Sequence, residues 1–208
     1  MAILAWIVAT FFQMRGGVDA IPRQSVSTFS AYLFPLVGLV AFFLVWTQVM
    51  IGSLRPWWQR LFPGIVRWHR KIGIFVLLFA LLHPLLLIIG IGLASFFHRT
   101  LIPPVLIPWI WVGEVQLFLI LVTTLTALMN RATWLRRRWR LFHLLNYIVF
   151  CLVWLHSWFL GIDVTRTSLR WLWYFFAGTF LIAVTSRIIH SLRSSKEGSL
   201  PNKRRNTL

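Results

Sequence analysis

From Phe29 to Gly52 the chain runs for 24 residues without a charged side chain. About 20 such residues wound as a helix cross the hydrocarbon layer of a bilayer. Backbone groups find no water there, so they must bond to one another within the segment. Further apolar runs follow at 65–97, 110–130, 139–160 and 171–189, and a shorter one at 2–14 precedes them. Hydrophobic residues make up 59% of the 208, with 13 tryptophans and only four acidic residues. That composition is typical of an integral membrane protein and leaves nothing over for a soluble domain.

The fold class expected is therefore an all-α integral membrane protein, a six-span helical bundle occupying residues 1–190. Residues 2–14, AILAWIVATFFQM, are short for a span, and they lack the basic leading region of a signal peptide, so they are read as a short first helix. Pro56, Pro63 and Gly64 break the chain between the second and third spans, and HRTLIPPVLIPW at 98–109 reads as a proline-rich loop. Pro84 falls inside the third span, where a kink is expected. The polar, basic stretch 191–208 is read as a disordered tail. Cys151 has no second cysteine to pair with and lies in an apolar span.

Charge sets the orientation. The net charge is +17. Five basic residues lie at 53–71 (Arg55, Arg60, Arg67, Arg70, Lys71) and five at 131–142 (Arg131, Arg136, Arg137, Arg138, Arg140). Six more follow from 187 onward (Arg187, Arg193, Lys196, Lys203, Arg204, Arg205), so 16 of 21 share one side of a six-span chain. The positive-inside rule places that side, and both termini, in the cytoplasm, and the expected location is a bacterial cytoplasmic membrane. The basic charge is thus a topology signal whose ordinary partner is anionic lipid, and no nucleic-acid partner is expected.

Against this background four histidines stand out. The third span reads HRKIGIFVLLFALLH from His69 to His83, and the fifth reads HLLNYIVFCLVWLH from His143 to His156. Imidazole is costly among lipid tails, so a histidine there is a functional candidate. At about 1.5 Å per residue, spacings of 14 and 13 correspond to about 21 and 20 Å, so the histidines can meet at two matched depths. The third and fifth spans run the same way, which pairs His69 with His143 near the cytoplasmic face and His83 with His156 nearer the outer face.

Two facing imidazoles fit the axial positions of a haem iron, whereas zinc asks for three or four clustered ligands. Gly73, one turn beyond His69, is a candidate for close approach of a porphyrin edge. Arg67, Arg70 and Arg140 are placed either to meet propionates or to contact lipid headgroups. The helical wheel raises a difficulty. At about 100° per residue, His83 lies within about 40° of His69, but His156 lies about 140° from His143.

The segments WHRKIGIFVLLFALLHP and RLFHLLNYIVFCLVWLHSW resemble the haem-binding helices of the ferric reductase-like transmembrane domain. That superfamily includes ferric reductases, NADPH oxidases and the membrane subunit of the periplasmic methionine sulfoxide reductase. The resemblance covers roughly residues 29–190 and rests on spacings of 14 and 13. It implies two b-type haems, with iron ligated by His69/His143 on the inner side and His83/His156 on the outer, moving electrons across the bilayer. It also implies that the 13-residue spacing is built in. No G-x-G-x-x-G fingerprint is present, so the chain is expected to lack its own flavin and NAD(P) domain. In size it is closer to the methionine sulfoxide reductase membrane subunit. A separate donor is expected, either a soluble flavoprotein or quinol, with a protein or metal ion as outer-face acceptor.

Of the remaining polar residues, His98 and His190 read as surface or interfacial, Asp163 as a loop or capping residue, and Glu114 as either a proton relay or an early-turn acid. The competing function is a haem-free transporter or assembly factor whose histidines bond to one another or to a metal. A transporter would more readily show internal repeats and broken helices, which the sequence lacks.

Overall fold

The computed structural model describes residues 2–99, 101–129 and 139–198, with side chains from Leu141 to Leu192 in the last of these. The described residues form helices and turns and include no strand. Five helices are long and apolar enough to cross a membrane. They are α2 (Val26–Ser53), α4 (Ile65–Ile91), α6 (Ile107–Leu128), α7 (Trp139–Leu160) and α9 (Leu169–Gly198). Between them lie α3 (Arg55–Leu61), α5 (Leu93–His98) and the single turn α8 (Ile162–Thr165), and α1 (Ala2–Met14) leads.

The boundaries follow local chemistry. Ser25 caps α2 by accepting the Thr28 N–H at 3.2 Å. Pro56 starts a helix rather than ending one: it sits in the first turn of α3, where its missing N–H costs nothing. The expected third span of 65–97 is cut at Gly92, whose φ of +85° a residue with a side chain rarely adopts. The helix α9 continues well past residue 189, because no glycine or proline intervenes before Gly198. Residues 191–198, expected in a disordered tail, are therefore helical, while 199–208 lie outside the described residues. Both Pro35 and Pro84 are carried inside continuous helices.

The bundle is arranged around α2, which packs along α4 and also against α7 and α9, while α6 packs along α7 and also against α4. The helices α4 and α7 thus stand diagonally across the bundle. Between transmembrane helices there is no hydrophobic driving force, so close approach and shape decide the packing. The α2–α4 contact keeps one antiparallel register, with Gly52/His69, Gly38/His83 and Ala31/Gly90 in contact and a seven-residue repeat that puts Val45 and Val76 at the intermediate position. Val76 is the buried residue of α4, and Val45 is buried opposite it. On the other side of α2, aromatic rings fill the centre: Phe42 stacks on Trp173 at 4.7 Å, and Phe150 on Phe180 at 4.2 Å. Bonds from Trp46 to Thr179 (3.0 Å) and from Trp173 to Ser157 (2.7 Å) tie α9 to α2 and α7.

The leading helix is not one of the five long enough to cross a membrane. Its 13 residues rise about 20 Å, short of the roughly 30 Å of hydrocarbon. It is tied twice to the same connection between α7 and α9: the Trp6 indole, in mid-helix, donates to Ser168 (3.3 Å), and Arg15, just past its end, makes a forked ion pair with Asp163. These ties hold the helix at that end of the bundle. There Ile7 and Phe11 are fully buried, and Arg15 stacks over Phe11 at 3.9 Å. Asp163, read as a loop acid, is buried and serves as this anchor.

Candidate functional site: two facing histidine pairs

All four span histidines come together as two pairs. The rings of His69 and His143 have centroids 5.8 Å apart at 72°, and those of His83 and His156 are 6.4 Å apart at 85°. Pairing is thus parallel, as the direction of the two helices requires. A metal–imidazole bond is about 2.0 Å, so two rings on opposite sides of one ion have centroids roughly 6 Å apart. Both separations are of that size. Among the described residues no group of three or more His, Cys, Asp or Glu could hold a metal. A donor set of two imidazoles at each depth suits a group that brings its own equatorial ligands, as haem does.

The second ring nitrogen tests the fit. Metal-ligating histidines commonly donate their other N–H to a backbone carbonyl, which fixes the tautomer and orients the ring. Nδ1 of His83 lies 2.7 Å from the Phe34 carbonyl, and Nδ1 of His156 lies 2.8 Å from the Trp109 carbonyl. A carbonyl oxygen only accepts, so both Nδ1 atoms carry the proton and both Nε2 atoms keep their lone pair for a metal. In each case a glycine four residues beyond the accepting carbonyl makes room. A Cβ on Gly38 would lie 2.8 Å from Cε1 and Nδ1 of His83, and one on Gly113 would lie 2.5 Å from Cε1 of His156. The other pair is held differently. Gln48 donates to the His69 carbonyl at 2.6 Å, and Nδ1 of His69 is buried without a partner. Asn146 donates to the His143 carbonyl at 2.9 Å, its amide nitrogen 3.4 Å from Nδ1 of that ring. A buried polar atom left unpaired costs about 1–3 kcal/mol, and such atoms concentrate at functional sites.

The wheel difficulty disappears once the neighbours are included. The rings of His69 and His83 both face α2, as their near-alignment requires. His156 leans toward α6, onto Gly113 and Trp109, whereas His143 feels the charge of Arg187 on α9. The angle of about 140° lets one helix present its two ligands from different sides.

The expected glycine and arginines are placed less directly. Gly73 faces α2, where a Cβ would meet the Gln48 amide nitrogen at 3.1 Å. Arg67 and Arg70 are exposed, the former beside Gly64, and the side chain of Arg140 lies outside the described residues with Arg131 and Arg136–Arg138. Among the described side chains, Arg55 acts on His69 and Arg187 on His143 through their charge, and Arg187 also donates to the Gly52 carbonyl at 3.3 Å. Sequence spacing alone had no means of bringing residue 187 to residue 52. Gly38 and Gly113 were equally missed, although Gly38 and Gly52 share the 14-residue spacing of His69 and His83, a signal that could have found them.

At the end holding His83 and His156, two arginines are paired with acids, Arg15 with Asp163 and Arg99 with Glu114. Arg99, the left-handed cap of α5 with φ +56°, bonds Glu114 at 2.7 Å and stacks over Trp111 at 4.1 Å. Glu114, beside Gly113, is thus an ion-pair partner. His98 and His190 are exposed and belong to neither histidine pair. No protein-family model, no curated protein and no solved structure matches the chain, so the reading of these pairs rests on its own residues and geometry.

Proposed function

We infer that this is a membrane cytochrome that carries electrons across the bilayer through two b-type haems, one between His69 and His143 and one between His83 and His156. The observation that carries this reading is the meeting of four histidines, far apart in sequence, as two facing pairs at ring separations of 5.8 and 6.4 Å. The resemblance to the ferric reductase-like domain points the same way. Haem, when bound, supplies an iron that gains and loses single electrons. The chain would supply two imidazoles at each depth, those of His83 and His156 with their tautomer fixed by a backbone carbonyl, and cations at one end. On this reading the protein is the haem-binding subunit of a reductase. It takes electrons from a flavoprotein or quinol at the basic face and passes them to a protein or metal-ion acceptor opposite.

The basic end faces the cytoplasm in this proposal, in keeping with the positive-inside rule, and the membrane is the bacterial cytoplasmic one. Five crossings replace the six expected. The end of α9 then lies inside and α1 outside, so the expectation of two cytoplasmic termini keeps only its C-terminal half.

The test is the haem content and its dependence on each ligand. Purified protein should be red, with a dithionite-reduced b-type spectrum and about two haems per chain by pyridine haemochrome. His83→Ala and His156→Ala should remove one spectral component, and His69→Ala and His143→Ala the other. A colourless protein would reject the reading and leave the haem-free transporter or assembly factor. If His69→Ala matched His156→Ala, the parallel pairing would be wrong.

A further inference from the structure

The two histidine pairs are not equivalent, and the differences act in one direction. At the outer pair, His83 and His156 each donate Nδ1–H to a backbone carbonyl, at 2.7 and 2.8 Å. Such a bond makes an imidazole a stronger electron donor and so favours the more highly charged state of a bound metal. Nδ1 of His69, at the inner pair, is buried and accepts or donates no bond. Fixed charge reinforces the contrast. The charges of Arg55 and Arg187 act on the inner pair, and Arg187 reaches the Gly52 carbonyl, across α2 from His69. The acidic residues with described side chains, Asp19, Glu114 and Asp163, all belong to the opposite end. Two of those three are in ion pairs, with Arg99 and Arg15. Nearby cations favour the less positive, reduced state.

We propose that Gly38 and Gly113 are positioning residues that seat the outer imidazoles on the carbonyls of Phe34 and Trp109, and that the outer site is thereby the harder of the two to reduce. The inference rests on the haem reading above. Neither glycine can gain a methyl group without moving its imidazole, because a Cβ would lie 2.8 Å or less from ring atoms already held by a hydrogen bond. Moving the ring lengthens the bond to the carbonyl, which weakens the ligand's donation. The glycines act through the histidines and touch no reacting atom.

The experiment is a potentiometric titration of the purified holoprotein, followed in the visible spectrum. The two components are assigned from His69→Ala, which keeps the outer site, and His83→Ala, which keeps the inner. The inner component should reduce first. Gly113→Ala should move the outer component to a higher potential or remove it, leaving the inner component in place. Gly178→Ala, in α9 with open space around its Cβ, is the control and should move neither. An outer component that reduces at the same potential as the inner, or above it, would overturn the proposal, and this wild-type order is decisive even if Gly113→Ala fails to assemble. An outer potential unmoved in a folded Gly113→Ala protein would also overturn it. Wild-type protein with no b-type spectrum would instead overturn the haem reading itself.

Discussion

The α2–α4 and α6–α7 pairs each carry two histidines on one helix, yet they are built on different rules. In α2–α4 the histidines occupy the same interface position two repeats apart, alternating with Val76 and Gly90 along one stripe of α4. The spacing of 14 is therefore a packing number: a seven-residue repeat returns each time to the facing helix. In α6–α7 the spacing of 13 belongs to no such repeat. His156 is seated on Gly113 in α6, while His143 feels the charge of Arg187 on α9. One helix holds its histidines by regular contact with a single neighbour, and the other sets them in two different surroundings. A ligand spacing is thus informative only together with the helix it packs against.

The contrast can be broken outright. Inserting one alanine between Phe150 and Cys151 would give α7 the 14-residue spacing of α4. On a wheel alone this improves the alignment of His143 and His156. In this fold it turns His156 by about 100° and lifts it about 1.5 Å, off Gly113 and the Trp109 carbonyl. We expect loss of the outer spectral component and about half the haem content, with the inner component kept. An insertion variant with both components intact would show that the aiming of His156 is not specific.

The packing stripe gives a smaller, graded effect. A Cβ at Gly90 would meet Ala31 at 2.8 Å at its Cβ and 2.9 Å at its Cα, and backbone cannot swing aside. Gly90→Ala should cost about 1–3 kcal/mol, the usual range for overpacking. Gly73→Ala should cost less, because its Cβ would meet at 3.1 Å the end of the Gln48 side chain, which can give way. Denaturant unfolding in detergent, read by tryptophan fluorescence, would rank them. Equal costs would mean that the α2–α4 register is looser than its contacts imply.

How much of this could be read in the sequence varied with how local the cause was. Spans announce themselves because hydrocarbon demands long apolar runs, and histidine depth follows from helical rise alone. The pairing of His69 with His143 required only the directions of two helices. By contrast, Arg15 and Asp163 meet across 148 residues and Arg187 meets Gly52 across 135, with no periodicity to link them. The same limit applies to α1. Its composition marks it as apolar, but only its ties to Ser168 and Asp163 show at which end of the bundle it is held.

The smallest expected effect asks whether the two halves share one electron donor. The linker carrying Arg55 and Arg60 joins α2 to α4, and the linker carrying Arg136, Arg137 and Arg138 joins α6 to α7. If the donor is a soluble, acidic flavoprotein, opposite charge steers its approach to this face. The screening length is about 10 Å at 0.1 M salt and shortens as salt rises, so haem reduction should slow. Neutralising either linker, as Arg55→Gln with Arg60→Gln or as the triple glutamine variant at 136–138, should lower the rate and flatten the salt dependence. Similar losses from both variants would place the donor across the two halves, and loss from one alone would place it on that half. Stopped-flow reduction in vesicles of known orientation measures this directly. A neutral quinol reaching the inner site through the lipid feels none of these charges. Rates indifferent to salt and to both variants would therefore reject the soluble donor in favour of the quinol.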